Sequence, residues 1–351
     1  MTRLLWAGAA AVLGVAALAA WLELAGFDAG AALASLWAGG FGSWYAFASV
    51  TLVRSVPLIL IGLGIAIAFR GGAFNIGAEG QFYAGAIVAT WVGLHVGGAP
   101  AALALMLVVM TSAIAGAAWV LVPVWLKLRF GVLEVISTLL LNFVAELLVS
   151  LLVQGPLQEH TGIYPQSDPI VDSARLPLLG ATRLHAGFLL AVIAVLLLWY
   201  VFARTVWGFR LRAVGLGPRA AEISGQVDSA RMGATALFCS GALAGLAGGV
   251  EVSGVSYALF QNLSPGYGFT GIAVALLGGL HPVGVLASGI FVGGLEAGAG
   301  AMQRDAGVPS VAVYVVEAVI IVVAALATIP RGGWRAPRLI RRIRPAASRA
   351  V

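Results

Sequence analysis

Residues 55–81 read SVPLILIGLGIAIAFRGGAFNIGAEGQ, so an apolar run is followed directly by a glycine-rich polar stretch. The apolar run belongs to a longer segment, 47–69, that reaches the length of about 20 residues needed by a membrane-crossing helix. Gly71 and Gly72 then favour unwound backbone, because glycine adopts conformations that other residues avoid. The sequence therefore predicts a membrane-spanning helix that ends at a break.

The composition extends this interpretation to the whole chain. Of 351 residues, 61% are hydrophobic and 10% are charged, whereas soluble domains carry about 25% charged residues. The 47 glycines fit close helix packing in lipid. We predict an all-α polytopic integral membrane protein with about ten transmembrane helices in a single domain over residues 1–330. The candidate spans are 4–25, 47–69, 77–95, 99–127, 132–153, 184–203, 233–257, 266–280, 284–303 and 310–329, of which 266–280 is short and could be broken.

The basic residues predict the orientation, since Lys and Arg collect on the cytoplasmic side of a membrane. A cytoplasmic N-terminus leaves only Arg175, Arg183 and Arg304 outside. We therefore expect both termini in the cytoplasm, an outer loop over 154–183, a cytoplasmic segment over 204–232 and a basic cytoplasmic tail over 331–351. The first segment also resembles a signal peptide, with Arg3 before an apolar run and a small-residue cleavage site at 17–19. Two interpretations are therefore open, a first span that is retained and a signal peptide that is cleaved.

Several function classes lack their motifs. A P-loop needs a lysine that reaches the phosphates, but Lys127, the single lysine, is followed by Leu128. Cys239 is the single cysteine and the four histidines are scattered, so we predict no metal site. The basic residues gather in the tail, which favours membrane lipid over nucleic acid as a partner. We predict a transport protein with no cofactor of its own, and not an enzyme.

Polar residues recur at every fourth position of the span 132–153, and others lie singly in later spans. Such residues face the bundle interior, where they line a pathway or bond neighbouring helices. We favour the pathway for Asn142. The repeating residues are Glu134, Thr138, Asn142, Glu146 and Ser150. The isolated residues, each either a protonated packing residue or a member of a proton relay, are Glu251, Glu296 and Glu317.

The break and two glycine patterns add local expectations. If the chain is helical from Asn75, then Asn75 and Glu79 lie one turn apart on one face. The alternative is a tight cytoplasmic turn capped by Asn75. Spacings of four residues among glycines predict close helix-packing faces. These glycines are Gly241, Gly245 and Gly249 in one span, and Gly289 and Gly293 in another.

The cytoplasmic segment 204–232 contains a predicted short helix. Pro218 suits its first turn, Ala220 and Ala221 favour its continuation, and Gly225 could end it. Two interpretations are open: a docking element for a partner, or an interfacial helix that lies on lipid.

Three patches together resemble a known family: 69–81, Gly208 to Gly225, and Gly266 to Gly278. The chain is similar to the permease subunits of bacterial ABC importers for simple sugars, nucleosides and branched-chain amino acids, and most similar to the nucleoside branch. Two positions depart from the family pattern. Gly217 stands where members often have Asn, and Leu280 with His281 replaces a polar Asn pair.

The resemblance implies that 204–232 is a coupling region seated on a separate ATPase subunit, which would hold ATP and Mg. It also implies a second homologous permease chain, an extracytoplasmic solute-binding protein and a location in the bacterial cytoplasmic (inner) membrane. The coupling candidates are Arg210, Arg212, Gly215, Pro218, Arg219, Ala220, Ala221, Glu222 and Gly225. The substrate-path candidates are Phe74, Asn75, Glu79, Gln81, Asn142 and Glu251.

The function expected from the residues and the resemblance is inward movement of a nucleoside or related small polar solute by alternating access. Three alternatives are open. The first is a permease for a simple sugar. The second is a proton-coupled secondary transporter with Glu134, Glu146, Glu251 and Glu317 as its relay. The third is a structural membrane subunit with no path of its own.

Overall fold

A computed structural model of the protein describes residues 14–223 and 227–328. Within these residues the regular structure is helical, with no strand and only two isolated β-bridges. This confirms the all-α prediction. Gly225 and the basic tail 331–351 lie outside the described residues, as does the side chain of Glu317.

Thirteen helices follow one another along the described chain, and their numbering is used from here on. They are α1 (Gly14–Leu24), α2 (Ala29–Phe41), α3 (Trp44–Arg70), α4 (Ala78–His95), α5 (Ala101–Phe130), α6 (Glu134–Val153), α7 (Gly187–Arg204), α8 (Val206–Leu216), α9 (Pro218–Ile223), α10 (Ser229–Ser256), α11 (Tyr267–Leu277), α12 (Pro282–Asp305) and α13 (Ser310–Thr328).

Six of these helices are long and apolar enough to cross a membrane: α3, α5, α6, α7, α10 and α12. Shorter apolar helices lie in α1, α2, α11 and α13, and α4 matches the predicted span 77–95 but begins with polar residues. The protein is therefore a multi-pass membrane protein by its helices. The total of ten spans and the cytoplasmic position of both termini stay predictions.

Helix α2 was not predicted. It has 13 residues, which corresponds to a length of about 20 Å, well below the membrane thickness. A helix of this length is therefore too short to be recognised in the sequence as a membrane span. Asp28 caps its first turn by accepting a hydrogen bond from the Ala31 backbone N–H at 2.8 Å. Gly40 lets α2 pack directly against the backbone of Gly294 in α12.

Helix α10 lies at the centre, packed against α3, α4 and α5. Glycine makes these contacts possible, because a side chain at Gly245 would overlap the backbone of Ser112 and Gly116 in α5. Gly85 of α4 approaches the Gly245 backbone from the other side. Gly289 and Gly293 likewise pack against α3. The predicted glycine packing faces are confirmed.

Regular helix is interrupted beside the outer loop. Helix α3 contains a π-helical turn at Phe47–Thr51, and α10 ends in another at Val252–Ser256. The chain from 257 to 266 is irregular and begins with Tyr257 at a φ of 57°. The Ile170 N–H of the outer loop donates to the Tyr257 carbonyl at 2.8 Å. Part of the loop thus packs into the bundle, and Ile170 is buried.

Helix α11 has 11 residues, a length of about 17 Å that cannot cross a membrane alone. The prediction of a short segment at 266–280 is confirmed. Gly266 precedes it with a φ of 100°, a conformation that favours glycine.

We expect Gly245→Ala to destabilise the protein by about 1–3 kcal/mol, because the added methyl group overlaps backbone in α5. Gly233→Ala is the matched control in the same helix, since the nearest atom to its new methyl group is the Ala73 Cβ at 4.0 Å. Thermal unfolding in detergent measures both. Equal melting temperatures for the two variants would contradict the packing described for α10.

Candidate functional site

The glycine-rich break between α3 and α4 is the first candidate site. Residues 71–77 form no regular helix, which confirms the predicted departure from helical structure. Helix α4 begins at Ala78 with Gly77 as its N-cap. Asn75 is therefore outside the helix, so the predicted helical face shared by Asn75 and Glu79 is wrong. Capping of α4 by Asn75 is also wrong, because its side chain accepts from the Gly77 N–H at 2.9 Å, within the irregular segment.

Asn75 belongs to a buried amide network. Its Nδ2 donates to the Gln81 Oε1 and to the Ser240 Oγ of α10, each at 2.8 Å. Gln81 Nε2 donates back to the Asn75 Oδ1 at 3.0 Å. Asn75 and Gln81 are fully enclosed. The network ties the irregular segment to two helices.

Asn142 of α6 holds the same segment from the opposite side. Its Oδ1 accepts from the Gly80 N–H and its Nδ2 donates to the Ile76 carbonyl, both at 2.9 Å. About two turns closer to the start of α6, Glu134 forms an ion pair with Lys127 at 2.7 Å. These contacts supply hydrogen-bond partners that the break would otherwise lack.

Glu79 connects the break to α11. Its Oε2 accepts from the Gly268 backbone N–H at 2.6 Å, and its side chain is buried. Gly268 lies in the first turn of α11, where backbone N–H groups have no partner within the helix. A carboxylate is also favoured there by the helix dipole.

Four predicted path residues, Asn75, Glu79, Gln81 and Asn142, thus converge on one structural cluster, and each already has protein partners. Phe74 is different, since it is 52% exposed and its ring lies 5.2 Å from that of Phe69. A direct role of these residues in solute passage stays a prediction.

Glu251 lies elsewhere, on the wall of a cavity of about 620 Å³. Arg54, Tyr257, Asn262 and Tyr267 are also on this wall. The Arg54 guanidinium lies 3.9 Å from the carboxylate of Glu296, which places a charge pair beside the cavity. Sequence reasoning did not select Arg54, although an arginine within an apolar span is a signal of function.

A second cavity of about 330 Å³ lies beside α6 and shares Asn262 with the first. Glu146 and Tyr83 are on its wall. Ser150 at the far end of α6 accepts from Gln261 Nε2 at 2.6 Å. The polar repeat of α6 therefore divides: its first members bond the break, and its later members border the second cavity.

The predicted cytoplasmic segment forms two helices, α8 and α9, which meet at Gly217. Helix α9 begins at Pro218 and includes Ala220 and Ala221, which confirms the predicted short helix. Helix α8 was not predicted, because residues 204–217 contain three glycines, which disfavour helix, and three arginines, which interrupt the apolar pattern.

Contacts with α3 and α7 position α8. Gly215 packs directly on the Arg70 carbonyl at the end of α3. Arg212 Nη1 donates to the Phe202 carbonyl at 2.7 Å, and the Arg70 guanidinium lies 4.7 Å from the Phe202 ring centroid.

Helices α8 and α9 each end in an exposed apolar side chain. Leu216 is 91% exposed and Ile223 is 88% exposed. Such apolar exposure at the ends of two short helices is typical of an interaction surface. The same two helices carry the exposed polar coupling candidates Arg210, Arg212, Arg219 and Glu222.

Comparison with protein families matches residues 47–325 to the branched-chain amino acid transport system / permease component family. No solved structure matches the chain.

Three curated relatives cover most of the chain. It is 39% identical over 316 residues to the guanosine ABC transporter permease protein NupP of Bacillus subtilis (strain 168), covering 89% of this chain and 90% of the relative. It is 38% identical over 281 residues to the glucose ABC transporter permease protein TsgB13 of Haloferax volcanii, covering 77% and 73%. It is 35% identical over 287 residues to the nucleoside ABC transporter permease protein NupB of Lactococcus lactis subsp. cremoris, covering 77% of each.

We expect Asn142→Leu to lower the melting temperature, because the Gly80 N–H and the Ile76 carbonyl lose their partner. Each buried group left unbonded costs about 1–3 kcal/mol. Gln154→Leu is the matched control, since Gln154 is an exposed amide at the end of the same helix. An unchanged melting temperature combined with lost solute uptake would instead assign Asn142 to solute contact.

Proposed function

The chain belongs to the branched-chain amino acid transport system / permease component family, and from this premise we propose that it carries a nucleoside through the membrane in an ATP-driven importer. The observation that carries the proposal is the match over nearly the whole helical bundle, from α3 into α13. The chain itself is the permease subunit, and ATP hydrolysis belongs to a separate subunit.

The proposed solute follows from two relatives that are named for guanosine and nucleoside transport. A simple sugar is the second candidate, because a relative of nearly equal identity is named for glucose. Guanosine and glucose each contain a sugar ring that carries several hydroxyl groups. A hydroxylated sugar ring is therefore the chemistry common to both candidates.

The exposed apolar side chains at the ends of α8 and α9 support docking of the ATPase. Leu216 and Ile223 would leave water when a partner covers them. Gly215, at the same end of α8, packs on the end of α3, so a force applied to α8 reaches a long central helix through direct contact.

Glu146 supports pairing with a second permease chain. It is exposed although it lies within the apolar helix α6. A carboxylate in that position faces protein or water and not lipid. A homologous chain packed against α6 would provide both a protein surface and enclosed water beside Glu146. An extracytoplasmic solute-binding protein and a place in the cytoplasmic membrane complete the proposal.

The proposal is tested by purifying the tagged chain from its native membrane in mild detergent and identifying stoichiometric partners. Recovery of a P-loop ATPase and a second permease is expected. The recovered complex is then placed in liposomes with its binding protein, and uptake of labelled guanosine and glucose is measured with and without ATP. Uptake that needs a proton gradient and no ATP would contradict the importer.

We expect Leu216→Ser to weaken ATPase binding by about tenfold or more, because a buried leucine contributes about 1.5–3 kcal/mol. Fold stability should be unchanged, since the side chain is 91% exposed. Leu24→Ser is the matched control: Leu24 is 89% exposed, at the end of α1 predicted to lie outside. Binding of the ATPase to the solubilised permease measures both. Equal affinities for the two variants would place the docking surface elsewhere.

A further inference from the structure

The larger cavity is bordered by irregular backbone from separate parts of the chain. The π-helical turns Phe47–Thr51 and Val252–Ser256 flank it, and the irregular segment 257–266 contributes Asn262 and Pro265. Non-helical backbone inside a membrane protein is tolerated where it is buried in protein or lines a water-filled space. A volume of about 620 Å³ also falls within the range of small-molecule sites. The cavity has the size and wall structure of a binding site.

Two side chains on its wall have no hydrogen-bond partner among the described residues. Glu251 is 7% exposed and Tyr267 is 5% exposed. Across residues 14–223 and 227–328, the hydrogen bonds of Glu251 and Tyr267 involve only their backbone atoms. A buried polar group without a partner is costly unless water or a ligand bonds it. The Glu79 carboxylate, by contrast, accepts a hydrogen bond from the Gly268 N–H.

The charges around the cavity balance. Arg54 and Arg183 lie on the wall with Glu251, and Glu296 lies 3.9 Å from Arg54. Glu296 is not itself on the wall, but together with Glu251 it offsets the formal charge of the two arginines, which suits a solute without net charge. Tyr257 and Tyr267 add ring surfaces to the same wall.

We propose that this cavity binds the sugar ring of the transported solute, with the Glu251 carboxylate accepting hydrogen bonds from its hydroxyl groups and the Tyr267 hydroxyl bonding the same ring. The assignment rests on the proposed function. Carboxylates accept hydroxyl hydrogen bonds strongly, because the acceptor is charged. Tyr267 begins α11 one residue before Gly268, so Glu79 holds the helix end that carries the Tyr267 side chain.

The test uses the complete importer in liposomes and compares ATP-driven uptake of guanosine with that of 2′,3′-dideoxyguanosine. Wild type should take up guanosine faster than the dideoxy analogue. Glu251→Met should reduce the ratio of the guanosine rate to the dideoxyguanosine rate by about tenfold, which corresponds to the loss of one hydrogen bond to a charged group. The same binding protein serves every variant, so its own preference cancels when the ratios are compared. Tyr267→Phe is the second variant and should shrink the ratio in the same direction.

Stability provides the matched control. Glu251→Met should keep the melting temperature, because no protein hydrogen bond is lost, whereas Glu79→Met should lower it by removing the partner of the Gly268 N–H. A ratio unchanged in both cavity variants, with uptake intact in wild type, would overturn the sugar assignment alone. Wild type that moves neither guanosine nor glucose would overturn the proposed function and the assignment together.

Discussion

The structure depends on satisfying backbone polar groups inside an apolar bundle. A helix bonds its own backbone, but the break at 71–77 leaves N–H and carbonyl groups that lipid cannot bond. Asn142 bonds the backbone at Ile76 and Gly80, and Asn75 bonds that of Gly77. The polar residues of this glycine-rich stretch are therefore explained first by the backbone that they hold, and the break is a fixed part of the fold.

The break also joins two regions with different proposed tasks. At one end, Gly215 of α8 packs on Arg70, and a Cβ at Gly72 would lie 3.5 Å from the Gly215 Cα. At the other end, Glu79 bonds the first turn of α11, which carries Tyr267 into the cavity wall. Packed contacts therefore run from the exposed coupling helices to the cavity. Contiguity alone is no proof of energetic coupling, but it identifies the residues through which coupling would pass.

The features that were predicted correctly from the sequence are those that a local pattern determines. Long apolar runs located the six helices that are long enough to cross a membrane, glycine spacing located the packing faces of α10, and Pro218 located the start of α9. Helix α2 was missed because its length is below that of a span. The contact of Glu79 with Gly268 could not be predicted, because 189 positions separate them. The cavity combines α3, α10 and α11 with the irregular chain between the last two, so only the fold brings its wall together.

Hydrogen bonding separates two kinds of buried glutamate that look alike in the sequence. Glu79 and Glu251 are both buried, and both were candidates for the path. Glu79 has a backbone partner at 2.6 Å, so its carboxylate is occupied in the resting fold. Glu251 faces a cavity and no side-chain hydrogen bond connects it to the described residues. A group that bonds a passing solute needs hydrogen-bonding capacity that the protein does not already use, and by this criterion Glu251 suits solute contact whereas Glu79 suits the framework.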